Sequence, residues 1–222
     1  MNIDIYNTLR DRIIYLDYAP GHMLKEQELA GEFGISRTPL RTVLFRLEWE
    51  HLVKTLPRTG ILVMELELNT ITHVFQARLE LESVIGAMAA ERFTKDHFTR
   101  LDELMMECER QFDHRNPKIL ASLDMNLKRL FYDAAANPFL AEISERLYCL
   151  TFRLWYFNLL KMNSDDWNIE VISIKEDLLS LSELLRADTP KMVGEARKDH
   201  LLKHLKRIRS QFLNLSATSN SR

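Results

Sequence analysis

Three arginines, Arg37, Arg41 and Arg46, stand among hydroxyls in the run Ser36-Arg37-Thr38-Pro39-Leu40-Arg41-Thr42-Val43-Leu44-Phe45-Arg46-Leu47. Cations near a helix start suit phosphate and base edges, because the positive end of the helix dipole also favours an anion there. A second set of ionisable residues interrupts apolar stripes further along: Arg78, Asp124, Lys128, Arg153, Asp177 and His200. Burying such groups costs several kcal/mol each unless they are paired or hold a ligand. Each alone reads as a structural ion pair, such as Arg78–Glu82 or Asp124–Lys128. The set, directed into one core, favours a binding cavity. Arg78 is the leading candidate for an anionic group, since a guanidinium fork matches a carboxylate. Arg153 and Lys128 rank behind it.

The first set needs a helix to carry it. Leu40, Val43, Leu44 and Leu47 recur at helical spacing, so one stripe is buried and Arg37, Thr38 and Arg41 lie off it. Ser36 is a natural N-cap, and Pro39 falls in the first turn, where a missing N–H costs little. A shorter helix over 25–33 precedes it, ended by Gly34 with a positive φ. Ile5, Leu9, Ile13 and Ile14 mark another helix, closed by Pro20-Gly21. Residues 52–54 and 60–63 read as two short strands around a tip of Pro57-Arg58-Thr59-Gly60. Arg58 beside Gly60 can approach a phosphate backbone or a minor groove closely.

The second set needs a bundle. Beyond residue 68 long helical periodicity takes over, with little glycine or proline. Helices are expected at 70–93, 95–114, 118–136, 138–162, 167–187 and 190–213, with Asn116-Pro117 and Asn137-Pro138 at the joints. The predicted class is mainly α: a winged helix-turn-helix over 1–68, an all-α bundle over 69–214, and a disordered tail over 215–222.

Residues 5–63 resemble the winged helix-turn-helix of the GntR family of bacterial transcriptional regulators. The resemblance is carried by Pro20-Gly21, Leu24, Glu28-Leu29-Ala30, Phe33-Gly34, Ser36-Arg37-Thr38-Pro39, Arg41, Leu44, Arg46-Leu47, Leu52-Val53 and Gly60. It implies that Arg37, Arg41 and Arg46 contact DNA, that Thr38 supports them, and that Arg58 and Gly60 form the wing tip. His51 stands where the family usually has glycine. Residues 70–210 resemble the all-helical effector-binding (FCD) domain of the FadR-type branch. Here the matching pieces are Arg78-x-x-Leu81-Glu82, Ala89-Ala90, Asp124-x-x-Leu127, Ala135-x-Asn137-Pro138, Glu176, Asp188 and His200-Leu201.

Many members of that branch bind a divalent metal through one Asp and three His, and the metal holds a small carboxylate. Asp124 and His200 match two of those positions, while Lys128 and Asp177 occupy the other two. An ammonium repels a cation, so no metal cofactor is expected. Lys128 is instead expected to take the metal's place, held by Asp124, Asp177 and His200. The resemblance implies a homodimeric regulator, a repressor, on a double-stranded DNA operator. A small anionic effector in the bundle would shift the population of DNA-competent dimers. Two alternatives stand beside it: a ligand-free bundle closed by its own salt bridges, and a metal-dependent enzyme on the helical half. The enzyme lacks a nucleophile elbow, a Gly-rich phosphate loop or any paired catalytic motif, so no catalytic residue is expected.

Composition sets the outer bounds. The chain has 222 residues, 46% hydrophobic and 28% charged, with a formal net charge of −2. That is ordinary for a globular protein and argues against non-specific coating of nucleic acid. Between Arg37 and Arg58 the cations Arg37, Arg41, Arg46, Lys54 and Arg58 face only Glu48 and Glu50, a local patch suited to a sequence-specific binder. Cys108 and Cys149 lack metal or redox spacing and read as buried thiols in a reducing compartment. No apolar leader is evident, and the apolar segment 148–160 is too short for a membrane span. A cytoplasmic protein with no membrane partner is expected.

Overall fold

The computed structural model describes residues 2–219. The chain divides into two units: 1–72 with 149–154, and 73–148 with 155–222. The first unit opens with α1 (Ile3–Ile14), β1 (Met23–Leu24), α2 (Glu26–Glu32), α3 (Arg37–Trp49), β2 (Val53–Leu56) and β3 (Gly60–Val63). The helices that follow are α4 (Leu68–Ala90), α5 (Lys95–Arg110), α6 (Pro117–Ala135), α7 (Pro138–Lys161), α8 (Ser164–Arg186) and α9 (Pro190–Ser219).

In the first unit Leu9, Ile13, Leu40, Leu44, Leu47, Leu52 and Val63 make the core, all at most 2% exposed. Residues of the apolar stripe foreseen on α3 are thus the ones that pack. Two carboxylates fasten α3 from behind. Glu50, at its C-cap, accepts from the Tyr6 hydroxyl of α1 at 2.8 and 2.9 Å. Glu48 accepts from Thr55 N at 2.7 Å and Thr55 Oγ1 at 2.8 Å, tying α3 to the first wing strand. The sheet order is β1-β3-β2, both pairings antiparallel. The two-residue strand β1, which alternation over so short a run cannot reveal, closes the edge of β3. Gly60 has φ +145°, and a Cβ there would lie 2.7 Å from the Leu24 carbonyl oxygen. Its glycine is therefore demanded by strand packing. His51 takes φ 61°, so the turn after α3 survives without the family's glycine, at a cost of about 1 kcal/mol.

The boundary expected after residue 68 shifts. The first turn of α4 and the six residues 149–154 of α7 belong to the first unit. Side-chain bonds account for the segment from α7. Arg10 Nη2 donates to Cys149 Sγ at 2.8 Å, and Arg153 Nη2 donates to the Met64 carbonyl at 2.6 Å. The Tyr15 and Phe152 rings meet edge-on, 5.3 Å between centroids. Sequence periodicity reports which face of α7 is buried, but not what covers it.

The second unit is helical. Thr94, Asn116, Asn137 and Asn163 cap α5, α6, α7 and α8, each accepting a first-turn N–H. Pro117 and Pro138 follow two of these caps at the position where proline is tolerated. Helix α8 starts at Ser164, earlier than expected, because Asn163 Oδ1 accepts from Asp166 N at 2.8 Å. Helix α5 packs on α6 and α8, and α8 on α9. Two glycines meet where α4 and α9 cross. A Cβ on Gly86 would lie 3.0 Å from Gly194 Cα, and one on Gly194 would lie 2.5 Å from the Ser83 carbonyl oxygen. The helix backbones approach closely there, and the Arg197 side chain packs over Gly86, its Cγ 2.8 Å from where a Cβ would lie. The expected disordered tail is corrected in part: 215–219 continue α9, since neither glycine nor proline follows Gly194 to stop it. Residues 220–222 lie outside the described residues.

Candidate functional site

Two groups of side chains stand out, one in each unit. In the first, a groove of about 530 Å³ is lined by Lys25, Glu26 and Gln27 around the start of α2, by α3, and by the wing from Thr55 to Ile61. Arg37 and Arg41 enter it one helical turn apart, and Arg58 enters from the wing tip with φ 64°. Arg41 Nε donates to Glu26 Oε2 at 3.0 Å, and Arg37 Nη2 donates to Gln27 Oε1 at 3.3 Å. The two arginines are thereby held against α2 side chains before any ligand arrives. Four cations against one carboxylate give the groove a positive field suited to a phosphate backbone.

Ser36 occupies the N-cap with extended backbone, but its side chain makes no capping bond. Thr38 is exposed in the first turn of α3. Arg46 lies apart from the groove lining. Its Nε donates to Glu50 at 2.5 Å, and its guanidinium stacks on Tyr6 and Trp49. Glu26, Gln27 and Phe45 are groove residues that motif reading passed over. Their signal was positional: Phe45 follows Arg41 by one helical turn.

The second group surrounds Glu82, 1% exposed on α4. Its carboxylate accepts from Arg78 Nη2 at 3.2 Å and from Arg197 Nη2, and Lys128 Nζ stands 3.8 Å away. Burial works to raise the Glu82 pKa, yet Arg197, Lys128 and Arg78 together hold it below the usual carboxylate range. Arg78 stacks on Phe75 and Tyr148, and Arg197 on Phe131. The Tyr148 hydroxyl donates to Asp124 Oδ2 at 2.7 Å. Two buried donors, Arg197 Nε and the Tyr132 hydroxyl, have no hydrogen-bond partner among the described residues. The Tyr132 hydroxyl feels the charges of Glu82, Arg78 and Arg197.

This arrangement differs from the one expected. Lys128 Nζ stands beside Glu82 and Asp124 accepts from Tyr148, while the charges of Asp124 and Asp177 still act on the ammonium. Burial lowers the Lys128 ammonium to about 8, helped by Arg197 and opposed by Glu82 and Asp124. Arg153 is not in the group at all; it lies in the first unit, and burial lowers it to about 10 against the pull of Glu65. Arg197 was missed, although it continues the buried stripe of Val193, Leu201 and Ile208. Asp177 and His200 do meet, with Oδ1 and Nε2 3.3 Å apart. Among the described residues no group of three or more His, Cys, Asp or Glu is placed to hold a metal ion.

His200 is 13% exposed, and burial lowers its pKa to about 3, reinforced by Arg197, Lys203, Lys128 and Arg207. Burial also raises the Asp177 carboxyl. His200 is therefore a neutral imidazole beside the Asp177 carboxyl rather than one half of an ion pair. The unfolded imidazole titrates near 6.5. Between the two values the unfolded chain holds the extra proton, so stability is full above about 6.5 and falls as pH drops toward 3. Urea midpoints should drop between pH 7 and pH 5 by the equivalent of about 1–2 kcal/mol. His200→Gln should flatten that slope; an unchanged slope in the variant would assign it to other groups. The raised Asp177 carboxyl acts in the opposite sense at lower pH, so the variant isolates the ring.

A winged helix-turn-helix with a basic groove, followed by an all-α bundle with a charged core, defines a DNA-binding regulator with a helical second domain. The model of bacterial regulatory proteins of the gntR family matches residues 3–63, and the FCD domain matches 73–203. The chain belongs to the GntR family of DNA-binding transcriptional regulators that carry an FCD domain, and is not an enzyme. It is 24% identical over 204 residues to YdhC of Bacillus subtilis, an HTH-type transcriptional regulator, covering 91% of this chain and 86% of that one. It is 23% identical over 208 residues to the HTH-type transcriptional repressor RspR of Escherichia coli, covering 94% and 87%. The fold is that of E. coli McbR/YncC, with a TM-score of 0.82 at 20% identity over 95% of this chain and 97% of that one. Among the described residues no helix is long and apolar enough to cross a membrane.

Proposed function

We propose that this regulator senses a small carboxylate held without a metal in the charged core of its helical unit. The observation that carries the reading is the pair of buried donors, Arg197 Nε and Tyr132 Oη, left without hydrogen-bond partners beside Glu82. Orphaned buried donors cost free energy that an anionic acceptor recovers. Arg78 and Lys128 supply further positive charge, while Asp124, Asp177 and His200 bound the site. A divalent cation does not fit these residues. Lys128 puts an ammonium among them, Asp124 is committed to Tyr148, and Asp177 with His200 is too small a set.

Arg37, Arg41 and Arg58 contact the operator, with Thr38 and Gly60 supporting them, and Arg46 steadies α3 from behind. The protein acts in the cytoplasm as a homodimer on a two-fold operator, placing two copies of α3 in successive major grooves. The name of RspR supports a repressor. Ligand binding shifts the population between DNA-competent and incompetent dimers.

The test is thermal unfolding of the full chain with simple carboxylates, sugar acids, acyl conjugates, zinc and nickel. A carboxylate at about 100 times its dissociation constant adds about 2.7 kcal/mol, equivalent to a rise of about 5–10 °C for a chain of this size. Tyr132→Phe should reduce that rise. A rise with a metal and none with any acid would overturn the metal-free reading. No rise with any compound would favour a bundle closed by the ion pairs of Glu82 with Arg78 and Arg197.

A further inference from the structure

We infer that Phe45 is a sequence-reading residue of the DNA groove, its ring packing on the C5-methyl group of a pyrimidine, which in unmodified DNA is thymine. The inference rests on the groove between α2, α3 and the wing being the DNA site. Phe45 follows Arg37 and Arg41 at intervals of four residues, so the three side chains form one stripe along the outer face of α3. All three line the groove. The stripe thus runs from two guanidinium groups to a phenyl ring that is 63% exposed. Behind it Leu44 and Ile61 are buried and already complete the core. The ring is not needed to fill the unit.

A phenyl ring offers no hydrogen-bond donor and no net charge, so it cannot serve as a phosphate contact. Left in water beside Lys25, Arg37, Arg41 and Arg58, it exposes apolar surface in the one place where polar side chains would raise affinity. The ring gains only if an apolar group lies opposite. On the major-groove edge of DNA that group is the thymine methyl, the single apolar feature that distinguishes one base pair from another. Arg41, braced by Glu26, and Arg58 on the wing fix the register of the backbone. One base step would then fall under Phe45. Packing on deoxyribose is the sequence-blind alternative, and it predicts no dependence on the methyl.

The full-length protein is used to enrich a randomised double-stranded DNA library, and each thymine of the enriched site is replaced in turn by deoxyuridine. Deoxyuridine keeps the pairing and the O4 acceptor and lacks only the methyl. One position, repeated by symmetry, should lose about fourfold in affinity, the equivalent of about 0.8 kcal/mol for one buried methyl. Phe45→Ala should bind the thymine and deoxyuridine duplexes equally, and its own enriched site should no longer specify that thymine. Phe45→Leu, which keeps an apolar tip, should retain part of the difference. If the wild type tolerates deoxyuridine at every position, or if the loss persists in Phe45→Ala, the contact is overturned while the groove stands as the DNA site. If the wild type enriches no sequence, the groove reading and the Phe45 contact fall together.

Discussion

Glu82→Gln is expected to destabilise the protein by about 3–5 kcal/mol, the range for removing one partner from a buried ion pair. The melting temperature should fall by about 6–20 °C, measured by calorimetry or circular dichroism at neutral pH. The amide keeps the shape of the carboxylate, so the loss reports charge rather than a cavity. It leaves Arg78, Lys128 and Arg197 in the bundle without the carboxylate that all three face. Arg197→Met in the same background should recover part of the loss by removing one of those cations. A change within about 1 kcal/mol would mean that Glu82 is not their counter-charge. Because its pKa is depressed, the stability Glu82 supplies is present above the usual carboxylate range and lost only as pH falls below it.

The second large effect belongs to the groove. Arg41→Ala should weaken specific DNA binding by about 1–3 kcal/mol, or about 5- to 150-fold, read by fluorescence anisotropy on an enriched site. The variant removes a cation and also releases Glu26, whose carboxylate then faces phosphate without its partner at 3.0 Å. Glu26→Ala in the Arg41→Ala background should therefore restore some affinity. If Arg41 touches phosphate, the slope of binding against salt drops by about 1; if it reads a base edge, the slope holds and discrimination is lost at one position. Unchanged affinity would remove Arg41 from the interface.

The sequence carried local information well and depth poorly. Leu40, Val43, Leu44 and Leu47 announced the buried stripe of α3, and Asn-Pro pairs announced two helix starts, because spacing and capping act within one turn. Arg78 with Glu82 was visible as an i, i+4 pair. That Glu82 would also gather Arg197 and Lys128 was not, since those residues lie 115 and 46 positions further on and only packing joins them. Arg153 shows the opposite error. Its helix is apolar almost all round, so its charge looked like part of a cavity, whereas it donates to the Met64 carbonyl. Met23–Leu24 is too short to show alternation, and β1 exists because β3 offers it an edge. His51 was legible as a departure from the family's glycine, but its left-handed backbone is a fact of the folded turn.

The crossing of Gly86 and Gly194 has a consequence for how this protein can change over generations. Because the α4 and α9 backbones meet there, the spacing between Glu82 and Arg197 is inherited from two residues that carry no chemistry of their own. A larger residue at either glycine would push α4 and α9 apart and displace Arg78 and Glu82 from Arg197. Substitution at Lys128, which approaches from α6, alters one charge and leaves the crossing alone. Under the proposed carboxylate-sensing role, lineages descending from this chain can therefore retune the core through α6 far more readily than through α4 or α9. New specificities should first be sought among variants at Lys128.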